Sequence, residues 1–479
     1  MKKKRVLITI SLSNSIRYIV RTGLLERMKE FCEPVLIFTW EQEDIIKELR
    51  EAGFEVYVVE EGKWGTAYAL LRKEIDDWFD WFAMKYSSRS IEKKWLGQFV
   101  PFSRRMKRNL REYGRLIKLL NAGYRKKMFE RESQLVVSDT NYSYYEKLLQ
   151  RIKPDAVFTV TPFHRQEDIL LRVCKDHGLQ MITSILSFDN ITKRGWIPVL
   201  YDVYMVWNKY NKEELHTIYP ETRSLRVEVT GAAQFDFYFH QQYLMTKDNW
   251  RNITSLHDRN RKIILYAGGP KALFPNEPQY LKTLDEAISN GTIENKPVIF
   301  FRCHPIDRIE RWQTEVGVSE HIVYDVSWTG DKILYNANVK DDDIKKLCST
   351  LAYCDVHVNL CSTMTVDGSA YGKPQIAPYY DDKGKQHQQA LRGLFRQRHF
   401  LPIMQKGGLL LAHNAAELID CINKALADPD KFNGKSDEIL KEIITYTDGQ
   451  STQRVAAVLE TCLVNKSEHV AEYKTNSVR

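Results

Sequence analysis

The sequence predicts an α/β protein made of two doubly wound, Rossmann-like domains that face each other across a cleft, with a helical insertion in the first. Three observations carry this. A chain of 479 residues exceeds the roughly 250 at which a single core stops growing. Short apolar runs rich in Val and Ile alternate with segments of helical period in both halves. The alternation lapses over residues 232–260 and starts afresh at 261.

In the first half RVLITISL reads as a strand, NSIRYIVRTGLLERMKEF as a helix, PVLIFTW as a strand, EDIIKELREAG as a helix ending in Gly53, and FEVYVVE as a third strand. Such an order sets the strands parallel, with helices on both faces. An insertion of helical period interrupts it over about 66–135. It resumes with the strand DAVFTVTP, the helix EDILLRVCKDHG, the strands QMITSILS and VYMVWN, the helix KYNKEELHTIY and the strand RVEVTG. The first domain is therefore 1–231 and the crossover 232–260. The second domain, 261–430, runs through KIILYAGG, a helix near 278–290, VIFFRCHP, HIVYDV, the helix DDDIKKLCSTLAYC, VHVNL, a short helix and YGKPQI. Helices near 414–427 and 436–464 close the chain, with 431–479 as C-terminal helices and tail.

Hydrophobic residues make up 43 % and charged residues 28 %, the balance of an ordinary globular protein rather than a disordered or membrane-spanning one. The eight cysteines form no C-x-x-C pair and sit mostly in apolar runs, as reduced core residues of a cytoplasmic protein do. The basic start MKKKR is followed by an apolar run too short for a signal peptide, so export is not expected.

The net charge of +8 is uneven: residues 85–131 hold fifteen Lys or Arg against three Glu. Beside and within that segment lie Trp78, Phe79, Trp81, Phe82, Trp95, Phe99 and Phe102. Basic and aromatic residues on helices suit an anionic membrane surface, which makes 78–131 a candidate peripheral contact with the inner face of the cell membrane. A solvated helical hairpin with its aromatics packed inward is the alternative. No nucleic-acid-binding signature accompanies the charge.

Three strand ends of the second half carry chemistry. Gly268 and Gly269 follow KIILYA, where a backbone can approach a phosphate. Arg302 and His304 alternate in FFRCHP and are expected on one face. Ser362 and Thr363 precede a helix whose first N–H groups and dipole favour an anion. Singly these are a loop, a core histidine and a helix cap. Together they make a diphosphate site, and Asp367, a turn further on, falls where it could accept ribose hydroxyls. Asp341–Asp343 open a helix, where the dipole favours acids, so no metal is expected.

These motifs, RCHP, CST, Asp367 and YGKPQI, together with the G-x-x-x-F-D of VTGAAQFD, resemble those of bacterial glycosyltransferases of the GT-B fold that build surface polysaccharides, and in pattern the CDP-glycerol glycerophosphotransferase-like group. The resemblance is clear over about 230–430 and architectural before it. It implies a donor-binding second domain in which Arg302, His304, Ser362 and Thr363 hold a nucleotide diphosphate and Asp367 the ribose, with no cofactor beyond the nucleotide-sugar co-substrate. Cys361 departs from the pattern, standing where a hydroxyl or glycine is common.

The first half would bind the acceptor, and deprotonating its hydroxyl needs a base. Asp189 in SFDNITKRG, followed by Lys193 and Arg194, is the first candidate, and His164 in TPFHRQED the second. The expected activity is metal-independent transfer of a sugar from a nucleotide-sugar donor to a glycan or lipid-linked acceptor. Glycerophosphate transfer from CDP-glycerol would use the same cradle, and an inactive scaffold in polysaccharide synthesis would retain it. An epimerase of this fold would need carboxylate-rich sites in both halves, which are not apparent.

Overall fold

The computed structural model describes residues 3–59, 64–82, 102–327 and 338–464. Among them the first domain forms one parallel sheet from β1 (Lys4–Ile10), β2 (Cys32–Phe38), β3 (Glu55–Val58), β4 (Ala156–Thr159), β5 (Gln180–Ser184), β6 (Val203–Val206) and β7 (Arg226–Val229), ordered β3-β2-β1-β4-β5-β6-β7. The second forms another from β8 (Ile263–Ala267), β9 (Val298–Arg302), β10 (Ile322–Asp325), β11 (Val356–Asn359), β12 (Gln375–Pro378) and β13 (Leu409–Ala412), ordered β10-β9-β8-β11-β12-β13. The central strands are buried on both faces, which is why they read as largely apolar runs. Strand order reverses beside β1 and β8, and ligands of such sheets bind outside the carboxyl ends at those points. Register aligns the second set of ends: Asn359 pairs with Ala267, Ala267 with Arg302, and Arg302 with Asp325.

Three elements differ from expectation. The helix expected through NSIRYIVRTGLLERMKEF is broken into Ser13–Ile16, a π-helical turn Arg17–Arg21 and Leu24–Phe31, with Gly23 between at φ +77°. Glycine takes that left-handed conformation without a Cβ clash. The wider turn aims two arginines at the rest of the chain: Arg17 donates to Gln234 O at 3.2 Å and Arg21 to Val339 O at 2.7 Å. The crossover, where the alternation lapses, contains a 3₁₀ segment Ala233–Phe239 and a helix Lys247–Ile253, and it buries Phe235, Phe237, Tyr238 and Trp250 in the second core.

The third difference lies near the C-terminus, where the helix expected over 436–464 is two helices, Asn433–Ile444 and Ser451–Val464. Thr445 between them sits at φ +66°, ψ −53°, a γ-turn closed by Tyr446 N donating to Ile444 O at 2.8 Å. That conformation is strained for a β-branched residue. It is held from the first domain, where Trp207 O accepts from Thr445 Oγ1 at 2.8 Å and Asn208 Nδ2 donates to Ile443 O at 2.7 Å. The turn sends the last helix back, so that Val455, Leu459 and Leu463 join Val6, Ile8 and Leu36 in the first core. Asp236, the acid of the G-x-x-x-F-D stretch, fastens that helix by accepting from Ser451 N at 3.0 Å and Thr452 N at 2.7 Å.

The insertion is fastened by charge. Asp168, fully buried, accepts from Arg72 Nε at 2.9 Å, Arg172 Nε at 3.0 Å and Tyr68 Oη at 2.9 Å. Burial would raise its pKa, but the two guanidiniums outweigh burial and hold it below the usual carboxylate range. Trp78 meets Phe129 edge-on at 5.2 Å and Phe79 stacks on Tyr219 at 5.8 Å. These two rings pack inward rather than toward a membrane, because apolar area gains more from the neighbouring helices than from water. Trp95 and Phe99 lie outside the described residues, as do the side chains of Trp81, Phe82 and Phe102.

Candidate functional site

The loop after β5 carries Asp189, Lys193 and Arg194, and the rest of the site gathers around it. Asp189 is buried, accepts from Asn190 Nδ2 at 3.0 Å and pairs with Lys193 Nζ at 3.7 Å. Burial would raise its pKa, yet Lys193, His399 and Arg194 outweigh burial and hold it at about 2. His164, just past β4, is held at about 4 by burial and by the charge of Arg194. Its Nδ1 is buried without a hydrogen-bond partner.

His304 of the second domain comes under the charge of Lys193 as well. Burial lowers its pKa to about 4; Asp307 opposes the shift and Lys193 adds to it. His304 Nδ1 accepts from Ile306 N at 3.2 Å, so the neutral ring keeps its proton on Nε2 and can donate from there. His399 is drawn in too: it lies edge-on to Phe188 at 5.7 Å, and its pKa of about 4 reflects burial, with Asp189 opposing and Lys193 assisting. Beside it Arg398 pairs with the buried Glu214 at 3.4 Å. Lys193 thus acts on groups of both domains, while Arg194 acts on Asp189 and His164 of the first.

The other expected residues divide. Ser362 and Thr363 stand at the carboxyl end of β11 with Thr363 exposed, while Ser362 Oγ accepts from Met364 N at 3.2 Å as a local cap. β9 ends at Arg302, so the strand alternation expected to align Arg302 with His304 does not extend to His304. The Arg302 guanidinium turns inward, donating to Asp325 at 3.2 Å and to Ser327 O at 2.8 Å.

Gly268 and Gly269 likewise direct their N–H groups inward, to Arg302 O at 3.0 Å and Glu277 Oε2 at 2.8 Å, so neither amide points at a phosphate. They are glycines for packing: a Cβ on Gly268 would lie 3.0 Å from the Trp312 ring, and one on Gly269 would overlap Phe274. Asp367 is buried where three parts of the chain meet, accepting from Tyr238 Oη of the crossover under the charge of Arg17. Burial raises its pKa in spite of Arg17. A clamp between domains, not an open ribose acceptor, is what its surroundings make of it.

Sequence pattern does not single out Arg17, Tyr238 or His399, since each needs a partner far along the chain. Nor does it mark Glu167, which lies fully buried at the carboxyl ends of β1 and β4. Its carboxylate accepts from Thr9 Oγ1 at 2.7 Å, Thr159 Oγ1 at 2.5 Å and Thr161 Oγ1. The only trace in the sequence is a threonine at each strand end.

No protein-family model matches the chain, and no curated protein matches it at a significant level. Solved structures do match. A UDP-GlcNAc 2-epimerase from Methanocaldococcus jannaschii aligns with TM-score 0.55 at 12 % identity, over 95 % of this chain and 99 % of that one. The UDP-GlcNAc 2-epimerase from Neisseria meningitidis bound to UDP-GlcNAc aligns with TM-score 0.53 at 11 %, over 96 % and 100 %. A glycosyltransferase from Rickettsia africae aligns with TM-score 0.52 at 10 %, over 98 % and 100 %. At these identities the likeness is one of fold, and the chain has the two-domain, GT-B-like α/β architecture of these proteins.

Proposed function

We propose that this protein transfers a sugar from a nucleotide-sugar donor to a hydroxyl of a cell-surface glycan or lipid-linked acceptor without a metal, at the inner face of the membrane. The observation that carries the reading is the pair of cations Lys193 and Arg194, the charge of Lys193 acting on His304 and His399 of the second domain and on Asp189 of the first, and that of Arg194 on Asp189 and His164. A departing diphosphate gathers negative charge in the transition state, and fixed cations and N–H donors lower its energy in a site that excludes water. Lys193 and the Nε2–H of His304 suit that task, with Ser362 and Thr363 at the adjoining strand end.

The acceptor must lose a proton. Asp189, held at about 2 and paired with Lys193, is a weak base and better suited to aiming the ammonium. His164, neutral and with an unpartnered ring nitrogen, is the stronger candidate, which reverses the order read from the sequence.

The test is release of nucleotide from UDP-, GDP-, CDP-, dTDP- and CMP-sugars and CDP-glycerol, with and without polyprenyl-linked acceptors and with EDTA. Acceptor-dependent release that persists in EDTA and is lost in His304→Ala supports transfer. Turnover of CDP-glycerol alone would make the protein a glycerophosphotransferase, and binding without turnover a scaffold. The solved epimerase bound to UDP-GlcNAc keeps a second reading in play, and interconversion of UDP-sugars without an acceptor would favour it.

A further inference from the structure

The helix Phe102–Leu119 of the insertion carries an apolar stripe that nothing in the described structure covers. Met106, Leu110, Tyr113, Ile117 and Leu120 are 51, 65, 58, 71 and 71 % exposed. Their spacing of four, three, four and three residues keeps them on one side of a helix, as apolar residues meant for burial are spaced. The far end is anchored: Leu119 is fully buried with Leu71, Ile75 and Met128, and the helix Thr66–Phe82 that supplies Leu71 and Ile75 is fastened to the first domain through Arg72 and Asp168. The stripe is therefore held at a fixed orientation to the sheet that carries His164 and Asp189.

The charge on the same helix selects the occupant. Residues 102–119 contain seven Lys or Arg and one Glu, so the segment that bears the stripe is strongly cationic. A second copy of the chain would bring two such helices together against mutual repulsion. Peptide partners take apolar helix faces into grooves or offer grooves themselves, whereas this stripe is convex. An apolar side dipping below lipid headgroups while basic residues meet anionic lipid is the arrangement of an interfacial helix. Among the described residues no helix is long and apolar enough to cross a membrane.

We propose that the Met106–Leu120 stripe docks the first domain onto an anionic phospholipid surface, lying in the interface. This narrows the basic segment to one helix face and stands independently of the donor reading, since vesicle binding needs no turnover.

The experiment is co-sedimentation of the full chain with vesicles of phosphatidylcholine alone and of an equimolar mixture with phosphatidylglycerol, at low and high salt. The wild type is expected on the anionic vesicles only, weakening as salt rises. Leu110→Glu/Ile117→Glu should lower partition at least about tenfold, since each side chain withdrawn from the interface forfeits its transfer free energy. Both side chains are mostly exposed, so the melting temperature should hold, and Val318→Glu, at an exposed position of the second domain, should bind as wild type. Equal binding by the double variant, salt-insensitive binding to both vesicles, or no binding would overturn the proposal. So would a wild-type dimer that the double variant dissolves, which would make the stripe a contact between copies.

Discussion

Replacing His304 with alanine offers the sharpest test of the site. The ring contributes one donor, Nε2–H, because Nδ1 is occupied by Ile306 N at 3.2 Å. A hydrogen bond to a charged oxygen contributes about 1.5–3 kcal/mol, so the variant should bind the preferred nucleoside diphosphate roughly tenfold to a hundredfold more weakly. The ring is neutral at ordinary pH, its pKa lying at about 4, so this ratio should stay constant between about pH 6 and 8. A ring acting as a cation would instead give a ratio that grows as pH falls toward its ordinary value. Isothermal titration of wild type and variant at both pH values reads the two quantities together, with melting temperatures confirming that the variant is folded. An unchanged affinity refutes the donor role, and a ratio that climbs below neutrality refutes the neutral-donor argument.

Further outcomes follow from the same geometry. His164, His304, His357 and His399 are each held at about 4, chiefly by burial, while the unfolded chain binds those protons near 6.5. The folded pKa being depressed, this stability is complete above about 6.5 and lost as pH falls toward 4, by about 3 kcal/mol for a fully buried ring such as His357. Urea titrations from pH 7 to 4 should show that fall, and His357→Gln should flatten it; an equal slope in the variant would contradict the assignment. Asp168→Asn strips the fully buried carboxylate from the buried Arg72 and the partly buried Arg172 and should cost about 3–5 kcal/mol, read by chemical denaturation; a loss under about 1 kcal/mol would show the cluster to be dispensable. Gly269→Ala drives a methyl into Phe274 and should cost about 1–3 kcal/mol, with nucleotide affinity unchanged in the folded variant if its amide indeed serves Glu277 and not a phosphate.

Much of the fold was legible because parallel sheets announce themselves. Their strands are covered on both faces, so KIILYA, VIFFR and VHVNL are mostly apolar, and the helices between them keep their own period. The order and direction of the strands were therefore legible, with His304, Ser362 and Thr363 each following a strand of the second sheet. The reading failed where an outcome depended on where a strand stops or on what lies opposite. Alternation joined Arg302 to His304, but β9 ends at Arg302 and its guanidinium found Asp325. Gly-Gly suggested a phosphate loop, whereas the neighbours of those glycines are Trp312, Phe274 and Glu277.

What the sequence determined by itself is local: the period of each segment, the order of strands and helices, the two-domain division and the concentration of charge in the insertion. These follow from the alternation of apolar and polar residues, which needs no knowledge of distant partners. Tertiary structure alone decided which charges meet. The charge of Lys193 reaches His304 and His399 from the other half of the chain, Asp367 is closed off by Tyr238 and Arg17, and Thr445 bends the last helix back onto the first sheet. Each depends on bringing together residues separated by a hundred positions or more, and the electrostatic character of a group is set by burial and neighbours that only the folded chain supplies.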